Sequence, residues 1–511
     1  MDWNLVSKIL LPEFIILSSV LITLLMSLLK RTKKYTGLVA SLALFIACLT
    51  AAFSTQGEEV TKILNSAFIS DSLSRYLRVL IYGVASLICL AATKYMEKYE
   101  SPAEYFSIFL TATLGAGFLA GVNDFLTLFI GLETLGLSAI LLVSYTRKLQ
   151  KSNESAIKYL LSAAVATGML LFAISLMYGV TASTNFAQVA SRIVQLETIS
   201  LLSAPLKILI SALLVAAIAF KLAAAPFHNW SPDVYYGSPT STTLFLSVIS
   251  KVAGFAVAIR VFGTVFHNEF LLPMLSIVAV LSIIIGNYVG IIQIISRGSV
   301  KKLLAYSSIA QSGYLLVALA CLRLESVSSL LLYITIYAIM NTCAFACIIY
   351  FEEETGSDRI FDFAGWIQKK PALTIIFSIA LFNLAGLPFI PAGFIAKFFL
   401  FSSSFSSGLV YAPYLVIIAL IGSVIALFYY LYLAKLMIVD EPSYALSAQS
   451  EASLSNSSSD EKISFITKLK HCYDPAKFTA MLSVAVLILV SIWGMDYLQG
   501  ISEMAIYKIG V

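Results

Sequence analysis

The chain has 511 residues, 59% of them hydrophobic and only 12% charged, with a mean hydropathy of +0.91. Soluble domains carry about 25% charged residues, so this composition excludes a soluble enzyme and implies one polytopic membrane bundle. The net charge of +5 lies mostly in loops, where it sets topology and does not indicate a nucleic-acid partner.

A spanning helix needs about 20 apolar residues, and about fourteen such stretches are predicted. Their centres lie near Ile22, Leu44, Ala85, Thr113, Leu132, Met169, Leu213, Val248, Ile284, Leu315, Ile339, Phe382 (continuing, broken, to Phe399), Ile421 and Leu487. The apolar run after Pro12 ends in Lys30, Arg31, Lys33 and Lys34 and reads as a span, not a cleavable signal. Alternate loops carry Lys94/Lys98, Arg147/Lys148/Lys151, Arg297/Lys301/Lys302, Arg359/Lys369/Lys370 and Lys462–Lys477. By the positive-inside rule these loops face the cytoplasm or its equivalent.

Two stretches interrupt the helical pattern. One is Lys221 to His228 with Pro226; the other is Gly386 to Lys397 with Pro388 and Pro391. Proline removes a backbone donor and clashes with the preceding turn. A pair of interrupted helices in corresponding positions marks an inverted-repeat transporter. The expected division is 1–101 for three N-terminal helices, 102–265 for the first repeat and 266–440 for the second. A polar loop at 441–477, Ser-rich over Ser447–Asp460, and a last helix in 478–511 complete it.

The six cysteines are scattered, and Cys343 and Cys347, though on one helix face, lack nearby His or further Cys partners. No P-loop, no GxGxxG after a strand and no CxxCH occurs. No cofactor is expected on this chain.

Charge at membrane depth carries the functional signal. A charge at the bilayer centre costs about 2.5–3.5 kcal/mol on insertion scales and usually marks an ion or proton path. Glu133, Lys221, Lys251 and Lys397 all fall in apolar helical stretches. Each reads either as a proton carrier or as a structural charge: a helix-anchoring ion pair for Glu133, a snorkelling cation for Lys221. A lysine beside a carboxylate holds its proton and tends to lose it when the partner leaves, which makes a switch from Coulomb terms alone. His228, two residues past Pro226, is a further candidate or a loop residue. Lys158 is a candidate or a positive-inside anchor.

These residues lie in familiar wording. Lys221-Leu-Ala-Ala-Ala-Pro-Phe-His228, Trp230-Ser-Pro-Asp-Val-Tyr235, Gly237-Ser-Pro-Thr240, Phe245-Leu-Ser-Val with Lys251, and Ser299 through Gln311 closely resemble one family. So do Asn153 through Tyr159 and Thr355-Gly-Ser-Asp358. The family is the membrane-arm subunit N (subunit 2) of proton-pumping NAD(P)H:quinone oxidoreductase, complex I. The resemblance runs from about Tyr105 to Lys435 and leans toward the cyanobacterial and plastid versions. It implies an all-α polytopic membrane protein of about fourteen transmembrane helices, with two inverted five-helix repeats and broken helices seven and twelve. It also implies a proton relay of Glu133, Lys221, Lys251 and Lys397, with His228 and Lys158 matching further family positions. Two departures stand out: Tyr235-Tyr236-Gly237 replaces the usual Tyr-Glu-Gly, and Gly386-Leu-Pro-Phe-Ile-Pro391 replaces Gly-Leu-Pro-Pro.

The expected function is proton translocation within an NAD(P)H- or ferredoxin:quinone oxidoreductase, driven by electron transfer in partner subunits. Flavin, Fe–S clusters and quinone would belong to that wider complex. The expected partners are other membrane-arm subunits and the lipid bilayer, in a bacterial inner membrane or a thylakoid. A subunit of a multisubunit cation/proton antiporter or membrane-bound hydrogenase is the alternative, and a membrane scaffold a third.

Overall fold

The structure, a computed structural model, describes residues 3–28, 32–54, 61–99, 101–198, 203–265, 270–388, 391–441 and 474–507. The Ser-rich stretch 447–460 and Phe389–Ile390 lie outside them. In hydrocarbon every backbone group needs an internal partner, which leaves the helix as the workable form for these apolar stretches.

The membrane helices in chain order begin with α1 Leu11–Leu28, α2 Thr36–Ala52, α3 Ser72–Glu97, α4 Pro102–Ala120, α5 Phe125–Val143 and α6 Gln150–Thr181. Next come α7 Ala204–Lys221, α8 Trp230–Gly237, α9 Thr240–Arg260, α10 Leu271–Ile295, α11 Val300–Cys321 and α12 Leu324–Thr355. The set ends with α13 Pro371–Ala385, α14 Pro391–Phe405, α15 Ala412–Ile438, α16 Pro475–Leu489 and α17 Met495–Tyr507. A short antiparallel hairpin pairs Thr61–Ile63 with Phe68–Ser70. Among the described residues, twelve helices are long and apolar enough to cross a membrane, and α13 and α16 are shorter apolar helices. Every predicted span centre falls inside one of these helices. Both predicted interruptions are present: α7 stops at Lys221 before α8, and α13 stops at Ala385 before α14.

Helices α9, α11 and α12 are almost wholly enclosed by their neighbours, while α1 and α6 turn most of their surface outward. Helix α11 packs on α10, α12, α14 and α15 and also touches α8 and α9. Whatever α11 carries therefore reaches both interrupted spans.

Polar contacts gather the basic loop ends on one face. Lys94 Nζ meets Asp474 Oδ2 at 2.5 Å, Lys301 Nζ lies 3.9 Å from Glu352, and the Thr240 hydroxyl donates to Glu352. A second charged set joins other helix ends. Arg78 Nη1 lies 3.0 Å from Glu13, and the Tyr82 hydroxyl donates to the same carboxylate at 2.7 Å. Asp71 caps α3 and takes both Arg260 Nη atoms at 2.7 and 3.1 Å.

Here the sequence reading is corrected: Glu13, Arg78 and Arg260 are buried helical charges beyond the four it singled out. Each lies within two turns of a helix end, where a charge reads as interfacial. Breaking such a pair leaves an uncompensated charge. Arg78→Met is expected to destabilise by about 3–5 kcal/mol. Glu13→Leu combined with Arg78→Met should cost less than the single change, as read from thermal unfolding of the solubilised protein.

Candidate functional site

The first interruption starts where α7 runs out at Lys221. Its free polar groups find side chains: Trp230 Nε1 donates to the Phe220 carbonyl at 3.2 Å, and the Ala225 amide donates to Ser282 Oγ at 2.8 Å. The Ser312 hydroxyl, from α11, donates to the Leu222 carbonyl at 2.8 Å. Trp230 in turn stacks on Tyr159 of α6 with ring centroids 4.5 Å apart. The break is thus a fixed turn.

Lys221 and Glu133 line one cavity of about 400 Å³ between α5, α6 and α7. Both are half-buried. Glu133 accepts a hydrogen bond from the Thr167 hydroxyl at 2.7 Å. The two charges share the cavity without forming a contact ion pair, since no carboxylate lies within 4 Å of Lys221 among the described residues.

Lys251, in the middle of α9, is 2% exposed. Its Nζ donates to the Ser308 carbonyl at 2.5 Å and to Ser308 Oγ at 2.6 Å, and stands 5.4 Å from the centre of the Tyr337 ring. The Tyr337 hydroxyl lies 3.0 Å from Ser308 Oγ. One turn along α11, Gln311 Nε2 donates to the Leu384 carbonyl at 3.2 Å, and the Tyr333 hydroxyl donates to Gln311 Oε1.

Lys397 takes the same Leu384 carbonyl at 2.9 Å, Ala385 at 3.0 Å and Ser423 Oγ at 3.1 Å. These carbonyls end α13, where no following turn can use them. Gly386 makes the exit possible with φ +84°, a conformation side chains disfavour, and a Cβ there would press on Lys397. Lys397 also lines a second cavity of about 420 Å³ with Ser423, Phe394 and Phe398.

The structure therefore brings Glu133 and Lys221 to one cavity, sets Lys251 directly on α11, and sets Lys397 on a carbonyl, Leu384, that Gln311 of α11 also bonds. The remaining two candidates stand apart. His228 is half-buried, its Nδ1 enclosed without a hydrogen-bond partner among the described residues, and its ring is not bonded to either lysine. Lys158 is exposed and paired with Glu154 and Asp233, both at 2.8 Å. Sequence reasoning missed Ser308, Gln311 and Ser312 as connecting residues. Their signal was visible: polar residues at helical spacing on one face of an apolar span.

Interrupted spans with lysines held at their broken ends, in a bundle of this size, define an antiporter-like membrane protein. The sequence profile of the family described as NADH:quinone oxidoreductase/Mrp antiporter, TM, matches residues 122–426, and the chain belongs to that family. The chain is 41% identical over 443 residues to the chloroplastic NAD(P)H-quinone oxidoreductase subunit 2 of Mesostigma viride, covering 84% of this chain and 85% of that one. It is 38% identical over 438 residues to NAD(P)H-quinone oxidoreductase subunit 2 of Nostoc sp., covering 84% and 82%. A chain of respiratory complex I from Thermus thermophilus superposes with TM-score 0.75 at 24% identity, over 96% of this chain and 99% of that one. The resemblance read from the sequence, and its lean toward plastid and cyanobacterial versions, is borne out.

The second break offers a local test. The Gly393 amide donates to Asn383 Oδ1 at 3.0 Å, and a Cβ at Gly393 would collide with the Asn383 carbonyl. Gly393→Ala should push α14 off α13 and draw Lys397 from its carbonyls, destabilising by about 1–3 kcal/mol. Thermal unfolding checks the loss, and Ser423→Ala should show a smaller one.

Proposed function

We propose that this chain is the proton-translocating subunit of a complex I-type NAD(P)H-quinone oxidoreductase, sited in a bacterial inner membrane or a thylakoid. The subunit 2 relatives support the assignment to that enzyme. The observation that carries the mechanism is the link of two buried lysines through α11: Lys251 bonds its Ser308, and Lys397 shares the Leu384 carbonyl with its Gln311. Glu133 and Lys221 form the switch at one end. Lys251 and Lys397 hold protons in turn, and Ser312, Ser308 and Gln311 orient them. His228 and Lys158 serve as accessory groups at the first break and at the basic face. The repeats at 102–265 and 266–440 place one interrupted span in each half.

The driving energy comes from outside the chain. Flavin, Fe–S clusters and quinone belong to the wider complex, and this chain's direct partners are other membrane-arm subunits. Among the described residues no three His, Cys, Asp or Glu gather as metal ligands.

Each charge has a defined job under this reading. Two charges 4 Å apart interact by about 4 kcal/mol at an effective dielectric near 20. A change in the Glu133–Lys221 separation is therefore sufficient to move a proton to or from the lysine. The test is the ratio of protons moved to quinone reduced in sealed vesicles holding the assembled complex. Lys251→Met and Lys397→Met should each lower that ratio and slow proton movement about tenfold, the slowing equal to ~1.4 kcal/mol on the transfer barrier. Glu133→Gln should do the same. Unchanged pumping by an assembled Glu133→Gln, Lys221→Ala double variant would rule the switch out.

A further inference from the structure

A separate cavity of about 240 Å³ lies on the basic face, beside the turn between α10 and α11. Arg297, Lys302 and Arg359 line it together with Tyr236, Ser299 and Asp358. Lys151 adds a fourth cation: its Nζ donates to the Tyr236 hydroxyl at 2.8 Å. Lys151 and Lys302 both stand 4.7 Å from the centre of the Tyr236 ring. Arg297 lies over Phe361, also at 4.7 Å.

These cations outnumber the acids around them. Among the described residues none of the four has a carboxylate within 4 Å. Asp358 is the lone acid in the lining, and it accepts from Ser299 Oγ at 2.5 Å at the start of α11. Where the resembling family has an acid, this chain has Tyr236.

The cavity is also built, not a chance crowding of loop ends. The Val300 amide donates to the Asp358 carbonyl at 2.8 Å, and the Ile360 amide to the Gly298 carbonyl at 3.0 Å. These bonds strap Arg359 to the turn that carries Arg297. Arg297 itself holds φ +52°, in the left-handed region that residues with a Cβ seldom adopt. It is the left-handed residue of the cap that ends α10, with the Arg297 amide donating to the Ile294 carbonyl at 3.1 Å and the Gly298 amide to the Gln293 carbonyl at 2.9 Å, and the cap fixes Arg297 at the cavity. Cations that only set topology would spread apart and lower their repulsion. Here they converge.

The occupant follows from charge and place. Tyr288, Ile292 and Ile295 on α10 are exposed apolar residues that lead up to Arg297. We propose that this pocket binds the anionic headgroup of a membrane lipid, a phosphodiester or sulfonate oxyanion, with an acyl chain lying along that face of α10. Basic pockets at the cytoplasmic ends of spans are suited to such headgroups.

The test uses the assembled complex in nanodiscs of phosphatidylcholine with a minor fraction of phosphatidylglycerol, with retained lipid counted by native mass spectrometry. The variant Arg297→Gln/Lys302→Gln/Arg359→Gln should bind phosphatidylglycerol about tenfold more weakly than the natural chain. Lys33→Gln/Lys34→Gln should leave retention unchanged. Arg297→Lys/Arg359→Lys, which keeps the charge, should restore much of it and so separate charge from folding. Equal retention by the Gln variant and the natural chain would overturn the proposal. So would inorganic phosphate binding as tightly as phosphatidylglycerol in phosphatidylcholine-only discs, which would mark a soluble-anion site. An acidic segment of a partner subunit cross-linking to this turn in place of lipid would overturn it as well.

Discussion

An interrupted helix leaves carbonyls that hydrocarbon cannot hydrate, and the rest of this structure follows from how they are met. At the second break the ammonium of Lys397 takes the last two carbonyls of α13. The arrangement answers two costs at once. The unpaired carbonyls gain a charged donor, and the buried cation gains the negative end of a helix dipole. Neither partner would be stable there alone. At the first break a hydroxyl from α11 and an indole from α8 do the corresponding work, and this leaves Lys221 free to face a cavity with Glu133.

Helix α11 is the common support. Its Ser312 hydroxyl reaches the first break, its Ser308 holds Lys251, and its Gln311 reaches the second break. These contacts fall on neighbouring turns, so any shift of α11 along or about its axis acts on both breaks together. Tyr333 and Tyr337, one turn apart on α12, back the same face through Gln311 and Ser308. The large side chains of α12 thus limit such a shift to small displacements, because close-packed interiors do not deform continuously.

Much of this was legible in the sequence. Length and hydropathy gave the spans, and proline beside lysine gave both interruptions. Lys251 and Lys397 stood out because charge in an apolar run has few explanations. The pairing of charges was not legible. Arg260 reads as the cation that ends a span, and only the fold brings it to Asp71, far away in the chain. The polar face formed by Ser308, Gln311 and Ser312 was visible, but not what it bonds, since a serine in a membrane helix often bonds its own preceding turn, and Ser312 does so as well, to the Ser308 carbonyl at 3.1 Å. Of the two departures from the family wording, Tyr236 acquires a physical role as the ring shared by two lysines. Phe389 and Ile390 fall outside the described residues.

The contacts also determine how a proton could travel. A carbonyl only accepts, so the bonds from Lys397 to Leu384 and Ala385 hold the lysine without offering an onward route. Among the described residues Ser423 carries the one hydroxyl bonded to its ammonium, and it lines the second cavity with Lys397. Gln311 likewise orients groups and does not exchange protons readily, because its amide would have to pass through a high-energy tautomer. Transfer along the proposed relay would therefore run through hydroxyls and water. Exposed Leu137 and Leu171 line the first cavity, and exposed Phe394 and Phe398 line the second. Under the relay proposed above, Lys221 and Lys397 each sit in a cavity walled in part by exposed apolar side chains, so a neighbouring subunit on either surface would touch the site.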